Sequence, residues 1–263
     1  MLTSLQNPLV KQLRKLHQAK QRQEQGAFLL EGTHLVAEAY ATGWPLEVVC
    51  CTPEWCDRHP TLYSQVAHQA TRVELVSGAI IEAIATTTSP DGIVATARRQ
   101  TATQPLNHAI SLGIALETLQ DPGNLGTIIR TAAAAGVEGL WLSADSVDLD
   151  HPKVLRATAG QWFRLPMSTS EDLSGEVQRC KQHGIQVVAT LPNAPLTYWQ
   201  ADLTRPTLLL LGNEGNGLSE NLAATADVQV SIPLAAGVES LNVAIAAALL
   251  VYEAKRQRTQ AAQ

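Results

Sequence analysis

The chain has 263 residues, 45% of them hydrophobic but only 4% aromatic, enough to bury a core in one large domain or two modest ones. The longest apolar stretch near the C-terminus, AIAAALLVY at 244–252, is too short to cross a bilayer, and the first residues carry lysine and arginine without an apolar signal segment, so a soluble cytoplasmic enzyme with no membrane contact is expected. A net charge of −5 argues mildly against a general nucleic-acid binder, and Cys50, Cys51, Cys56 and Cys180 lack the paired CxxC spacing of a zinc site, so no metal is expected.

In chain order, Leu9, Leu13 and Leu16 fall at helical spacing and predict an amphipathic N-terminal helix that stops at Gly26. Lys11, Arg14, Lys15, Lys20 and Arg22 face Glu24 alone, so this end of an acidic protein could approach phosphates; a solvated helix face is the competing reading. AFLLEG follows as a short apolar segment, then THLVAEAYATG as a helix closing at Gly43, LEVVCC and RVELVS as strands, and SPDGIVATARR as a turn and a last strand. RQTATQPLNHA is polar, proline-bearing and aperiodic, which places a linker at 99–108 between a domain at 1–98 and another at 109–263.

Beyond the linker, apolar runs at SLGIALETL, GLWLSA, QVVATL, TLLLLG and VQVSIP alternate with helical patterns, which predicts a parallel sheet covered on both faces. Ligands of such sheets bind at the carboxyl ends of the strands, and three loops there stand out. In the first, Pro122 and Gly123 force a turn, Asn124 can cap, and Leu125 to Ala135 forms an alanine-rich helix carrying Arg130 about one turn in, either snorkelling to water or held for an anion. In the second, LLLLGNEGNGLS at 208–219, four leucines run into a polar loop. It has no GK[ST], its glycines are spaced GxxGxG, and Glu214 would repel phosphate, so a ligand with hydroxyls, an amino group or positive charge suits it better than a dinucleotide. The alternative is a tight turn with Glu214 capping the helix after it. In the third, at 230–258, Ser240 is a good N-cap, whereas Asn242 sits inside the first helical turn, where it lowers helix propensity.

NLGTIIRTAAAAGV, LLLGNEGNGLS and IPLAAGVESLNVAIAAALLVYE resemble, in order and near the right separations, the three motifs of the SpoU (TrmH-like) RNA 2′-O-ribose methyltransferases. RATAGQWFRLP at 156–166, FLLEGTHLVAEA and SPDGIVA are similar to the ribosomal-RNA branch with its N-terminal substrate-binding domain, so the resemblance covers nearly the whole chain. It implies an α/β fold: a parallel sheet with a C-terminal trefoil knot, the SPOUT methyltransferase fold, preceded by a small α/β RNA-binding domain. Threaded chains are otherwise very rare, so the knot is implied by the resemblance alone. A homodimer built through the knotted domain is implied as well, and Ala244, Ala247 and Ala248 are compatible with close helix approach.

By the same resemblance the cofactor is S-adenosyl-L-methionine. Arg130 meets the phosphate beside the target ribose and helps activate its hydroxyl, while Asn124, Glu214, Ser240 and Asn242 take the other polar catalytic positions. Gly212, Ile232 and Leu241 hold the adenine side, and Thr190, Leu191, Leu211, Asn213, Gly215 and Leu234 complete the cofactor set. RNA is expected on Lys11, Arg14, Lys15 and Arg22 and at the Lys255, Arg256, Arg258 end. Motif one ends AAAAG where an aromatic often precedes the glycine, and Leu234 stands where methionine is frequent; both changes are apolar for apolar. The implied activity is 2′-O-methylation of large-subunit ribosomal RNA in preference to transfer RNA. A non-catalytic RNA-binding protein and a small-molecule enzyme on another nucleotide-binding fold are the rivals.

Overall fold

The computed structural model describes residues 1–99 and 109–262, so the expected linker at 99–108 lies, apart from Arg99, outside the described residues. At the N-terminus the expected single helix is two. The first, α1 (Pro8–Lys15), is capped by Asn7, whose side chain accepts from the Leu9 amide, and it buries Leu9, Val10 and Leu13. The second, α2 (Ala19–Gln25), ends on Gly26 in the left-handed conformation and buries a single side chain, Arg22. Gln18 is extended between them, a break that the leucine spacing could not show because α2 has no apolar stripe of its own.

There follow β1 (Ala27–Glu31), α3 (Thr33–Ala41), β2 (Leu46–Cys51), α4 (Pro53–Arg58), α5 (Pro60–Gln69), β3 (Arg72–Leu75), α6 (Gly78–Ile84) and β4 (Ile93–Arg98). The strands form a sheet of order β1-β4-β2-β3, with β4 antiparallel to both neighbours and β2 parallel to β3. AFLLE reads as an unbroken apolar run because both faces of β1 are covered: Phe28 and Leu30 join a core with Leu35, Val36 and Trp55, while Leu29 joins Leu13, Leu16, Ile80 and Ile84 on the other side.

The second sheet collects β5 (Leu112–Leu116), followed by α7 (Pro122–Ala135), and β6 (Gly139–Ser143), after which the chain forms α8 (Pro152–Ala157). It resumes with β7 (Met167–Ser170), α9 (Leu173–Gln182), β8 (Gln186–Thr190), β9 (Leu196–Thr197), β10 (Thr207–Leu211), α10 (Glu220–Ala223), β11 (Val228–Ser231) and α11 (Val243–Ala261). The order is β7-β6-β5-β10-β8-β11-β9 and each pairing is parallel, so the loops after β5, β8, β10 and β11 emerge at one edge. All of β10 is buried, with Leu208 and Leu210 packed among Val177, Cys180 and Leu222. The leucine run is core, as the parallel-sheet expectation requires.

The chain divides into two compact units, and the first takes residues 148–164 as well as the N-terminal part. This corrects the assignment of everything from 109 onward to the second domain. The reason is packing: the Trp162 ring lies 5.1 Å from both Phe28 and Trp44, Leu155 is buried in the same core, and Asp148 and Asp150 pair with Arg22. Among the described residues no helix is long and apolar enough to cross a membrane.

Candidate active site at the carboxyl edge of the parallel sheet

The β5–α7 loop ends in a cap, but the cap is Asp121, whose carboxylate accepts from the Asn124 amide at 2.8 Å. Asn124 is therefore the third helical residue, and its side chain is left for other partners. Its Nδ2 donates to Glu214 Oε1 at 3.2 Å, and its Oδ1 accepts from Asn242 Nδ2 at 2.8 Å. Asn242, not Ser240, caps α11: its Oδ1 accepts from the Ala244 and Ile245 amides at 2.9 and 3.3 Å. These bonds fix one another. Because Asn242 Oδ1 must face the helix amides, its Nδ2 faces Asn124, and Asn124 Nδ2 then faces the carboxylate.

Glu214 sits in the β10–α10 loop and also accepts from the Gln120 and Asp121 amides at 3.2 and 3.1 Å. Burial works to raise its pKa, but bonds from its own amide, the Asp121 amide, the Asn124 side chain and the Gln120 amide outweigh that, and the net shift is downward. It does not cap α10, as the alternative had it. Ser219 does, accepting from Leu222 N at 3.2 Å, and Glu117 holds Ser219 through its amide and hydroxyl, both at 2.7 Å.

The loop between is closed on itself. Asn213 and Gly217 exchange backbone hydrogen bonds of 3.0 Å, and Asn213 Oδ1 accepts from the Gly215 and Asn216 amides at 2.8 and 3.0 Å. A Cβ on Gly212 would collide with the backbone of Gly217 and Leu218, so this position admits only glycine without moving the loop.

At the neighbouring strand ends, Thr190 closes β8 with its hydroxyl buried and without a hydrogen-bond partner among the described residues, and the Leu191 amide donates to Val230 O at 2.9 Å. Leu211 is buried at the end of β10, Gly215 is exposed and Ile232 is half-buried. Leu234, Val238 and Leu241 are exposed in the β11–α11 loop and Ile245 in the first turn of α11, which leaves apolar surface there.

Arg130 lies on the exposed face of α7, eight residues after Pro122 and thus more than two turns in, deeper than expected. Ser240 is exposed in the loop before α11, and neither its side chain nor that of Arg130 has a hydrogen bond or ion pair among the described residues. The edge thus joins Asn124, Glu214 and Asn242 directly and leaves Arg130 and Ser240 unattached.

Of the expected RNA contacts, Lys11, Arg14 and Lys15 are exposed on α1 and unpaired among the described residues. Arg22 is not available: at 1% exposure it pairs with Asp148 at 2.6 Å and Asp150 at 3.0 Å and donates to the Leu16 and His17 carbonyls. The C-terminal basic end is also largely engaged. Arg256 pairs with Glu253, Lys255 donates to Ala134 O, and Arg258 donates to the carbonyls of Leu203, Ser111 and Arg205, its pKa lowered by desolvation against the opposing pull of Glu138.

Residues 111–252 match the SpoU rRNA Methylase family, and residues 7–95 match the MRM3-like substrate binding domain. The chain belongs to the SpoU rRNA methylase family. It is an RNA methyltransferase. A tRNA/rRNA methyltransferase of Synechocystis sp., named as uncharacterized, is 49% identical over 258 residues, covering 98% of this chain and 94% of that one. The 23S rRNA (guanosine(2553)-2′-O)-methyltransferase RlmP of Bacillus subtilis is 32% identical over 251 residues, covering 95% of this chain and 97% of the relative. The crystal structure of AdoMet-bound rRNA methyltransferase from Sinorhizobium meliloti superposes with a TM-score of 0.86 at 34% identity, covering 97% of each chain.

The SpoU edge suits the S-adenosylmethionine bound in the Sinorhizobium protein. A buried hydroxyl without a partner at Thr190, a loop that approaches closely at Gly212, and exposed Leu234 and Leu241 offer polar and apolar contacts to a nucleoside, with the Glu214 carboxylate for a cationic end. The sequence reading missed Glu117, Thr118, Asp121, Ser143 and Asp145, which stitch these loops together. Their signal was available: Glu117, Thr118, Ser143 and Asp145 are polar residues at or just beyond the end of an apolar strand, and Asp121 directly precedes the Pro122 that opens α7.

Proposed function

We propose that this protein transfers a methyl group from S-adenosylmethionine to a ribose 2′-hydroxyl of large-subunit ribosomal RNA, acting as a homodimer through a C-terminal trefoil knot. The observation that carries the reading is the hydrogen-bonded chain Glu214–Asn124–Asn242 at the carboxyl edge of the sheet, with Arg130 exposed further along α7 and its side chain without a partner among the described residues. The bound cofactor supplies an electrophilic methyl on a sulfonium. This chain's residues do the rest. Gly212, Thr190, Leu211, Ile232, Leu234 and Leu241 hold the nucleoside, with Leu191, Asn213 and Gly215 shaping the loops around it. Asn124, Ser240 and Asn242 orient the ribose. Arg130 grips the neighbouring phosphate with its two-pronged guanidinium, and its charge stabilises the negative charge that develops on O2′ as the hydroxyl proton passes to solvent water.

Several features support the finer points. β10 lies between β5 and β8, and α11 returns to pack on α7, as a threaded chain requires. The exposed Val238, Ile245 and Tyr252 offer apolar surface for a second copy. The ribosomal target is favoured over transfer RNA because the N-terminal unit matches a substrate binding domain and because RlmP acts on 23S rRNA. Lys11, Arg14 and Lys15 would meet that RNA's backbone.

The test is to incubate the protein with methyl-labelled cofactor and total RNA and then hydrolyse the RNA in alkali. Label is expected in large-subunit RNA, in alkali-resistant dinucleotides, because a methylated O2′ cannot attack its own phosphate. Label confined to transfer RNA would sink the ribosomal choice, and no label in any RNA would sink the reading.

A further inference from the structure

Among the described residues only two non-glycine residues have left-handed backbone, Ala159 and Thr118, and Thr118 lies at the carboxyl end of β5 with φ +54°. A β-branched residue is strained there and stays only where its surroundings hold it. Its surroundings are specific. The Thr118 amide donates to Ser143 Oγ at 2.7 Å, and its hydroxyl donates to Asp145 Oδ2 at 2.7 Å. Ser143 Oγ donates in turn to Asp145 Oδ1 at 2.5 Å, which ties both hydroxyls to one carboxylate just after β6.

The other end of Thr118 faces the cofactor loop. Its carbonyl accepts from Asn213 Nδ2 at 2.7 Å. That bond fixes the Asn213 amide so that its Oδ1 receives the Gly215 and Asn216 amides. We propose that Asp145 and Ser143 hold Thr118 in its strained conformation as a positioning unit, and that Thr118, through Asn213, sets the cofactor loop at 212–217. The assignment rests on this edge being the S-adenosylmethionine site. The Asp145 carboxyl is held below its usual range by the bonds from Ser143 and then Thr118, so it remains an acceptor at neutral pH.

Thr118 touches neither cofactor nor RNA in this scheme, so its loss should appear in cofactor binding and not in the chemical step. Thr118→Val keeps the shape and removes the hydroxyl. It should weaken S-adenosylmethionine binding by about tenfold in calorimetry, the scale of one hydrogen bond to a charged group, and raise the KM for the cofactor while kcat at saturation stays near wild type. Thr118→Ser should restore binding. Because the effect passes through Asn213, Thr118→Val combined with Asn213→Ala should lose no more than Asn213→Ala alone. If Thr118→Val does not fold, Asp145→Asn takes its place and should show the same split.

Wild-type affinity in folded Thr118→Val, or losses that add in the double variant, would overturn the proposal. Wild-type protein that takes up no S-adenosylmethionine would overturn the cofactor reading and this proposal with it, so the two failures are distinct.

Discussion

Arg22 in α2 and Arg130 in α7 are both arginines on helices, and counting charge along the chain treats them alike. Their surroundings are opposite. Arg22 belongs to the first unit, is 1% exposed and answers two carboxylates and two carbonyls. Arg130 belongs to the second, faces solvent and answers no group among the described residues. A buried arginine with all three guanidinium nitrogens engaged is part of the frame, whereas one exposed on a helix face is free to meet an anion.

The sharpest way to test that contrast is to remove each cation and compare stability with turnover. Arg22→Ala leaves Asp148 without its ion pair and the buried Asp150 with only Arg99, and it should cost about 3–5 kcal/mol in chemical denaturation, the usual cost of breaking a buried pair. An unchanged midpoint would return Arg22 to the set available for RNA.

Arg130→Ala should do the reverse. It should shift stability by no more than about 0.5 kcal/mol, as for other surface changes, yet lose on the order of a hundredfold or more in turnover at saturating cofactor and RNA, with cofactor affinity kept. Arg130→Lys should rescue poorly because it restores charge without the fork. A rate near wild type in Arg130→Ala would remove this residue from the mechanism.

The smallest expected effect belongs to α1. Neutralising Lys11, Arg14 and Lys15 together should leave the fold and the saturated rate intact while flattening the salt dependence of RNA binding by about 0.7–0.9 per lost phosphate contact. An unchanged slope would mean that this face is merely solvated.

The parallel sheet and the three loops were legible because both faces of the strands are buried, which leaves unbroken apolar runs such as TLLLL ending at polar turns. The residues meeting there were named through the resemblance, since Asn124, Glu214 and Asn242 fall on its motif positions, while their spacing alone left each open to a capping role. The caps were not legible. Asp121 and Asn124, or Ser240 and Asn242, offer similar oxygens a few residues apart, and only the path of the backbone decides which one faces the helix amides. Arg22 was misplaced for a different reason: its partners Asp148 and Asp150 lie more than a hundred positions away, and local spacing carries no trace of them.

The return of residues 148–164 to the first unit has a bearing on how such a protein can be inherited. The chain crosses between its units three times, so the N-terminal half is not a cassette that one crossover at the linker could move intact. A gene spliced there would deliver Phe28 and Trp44 without Trp162, and Arg22 without either aspartate, unless the recipient encoded a matching middle segment. The first hundred codons and a short stretch further downstream therefore spell one core between them, as though they were one exon written in two places.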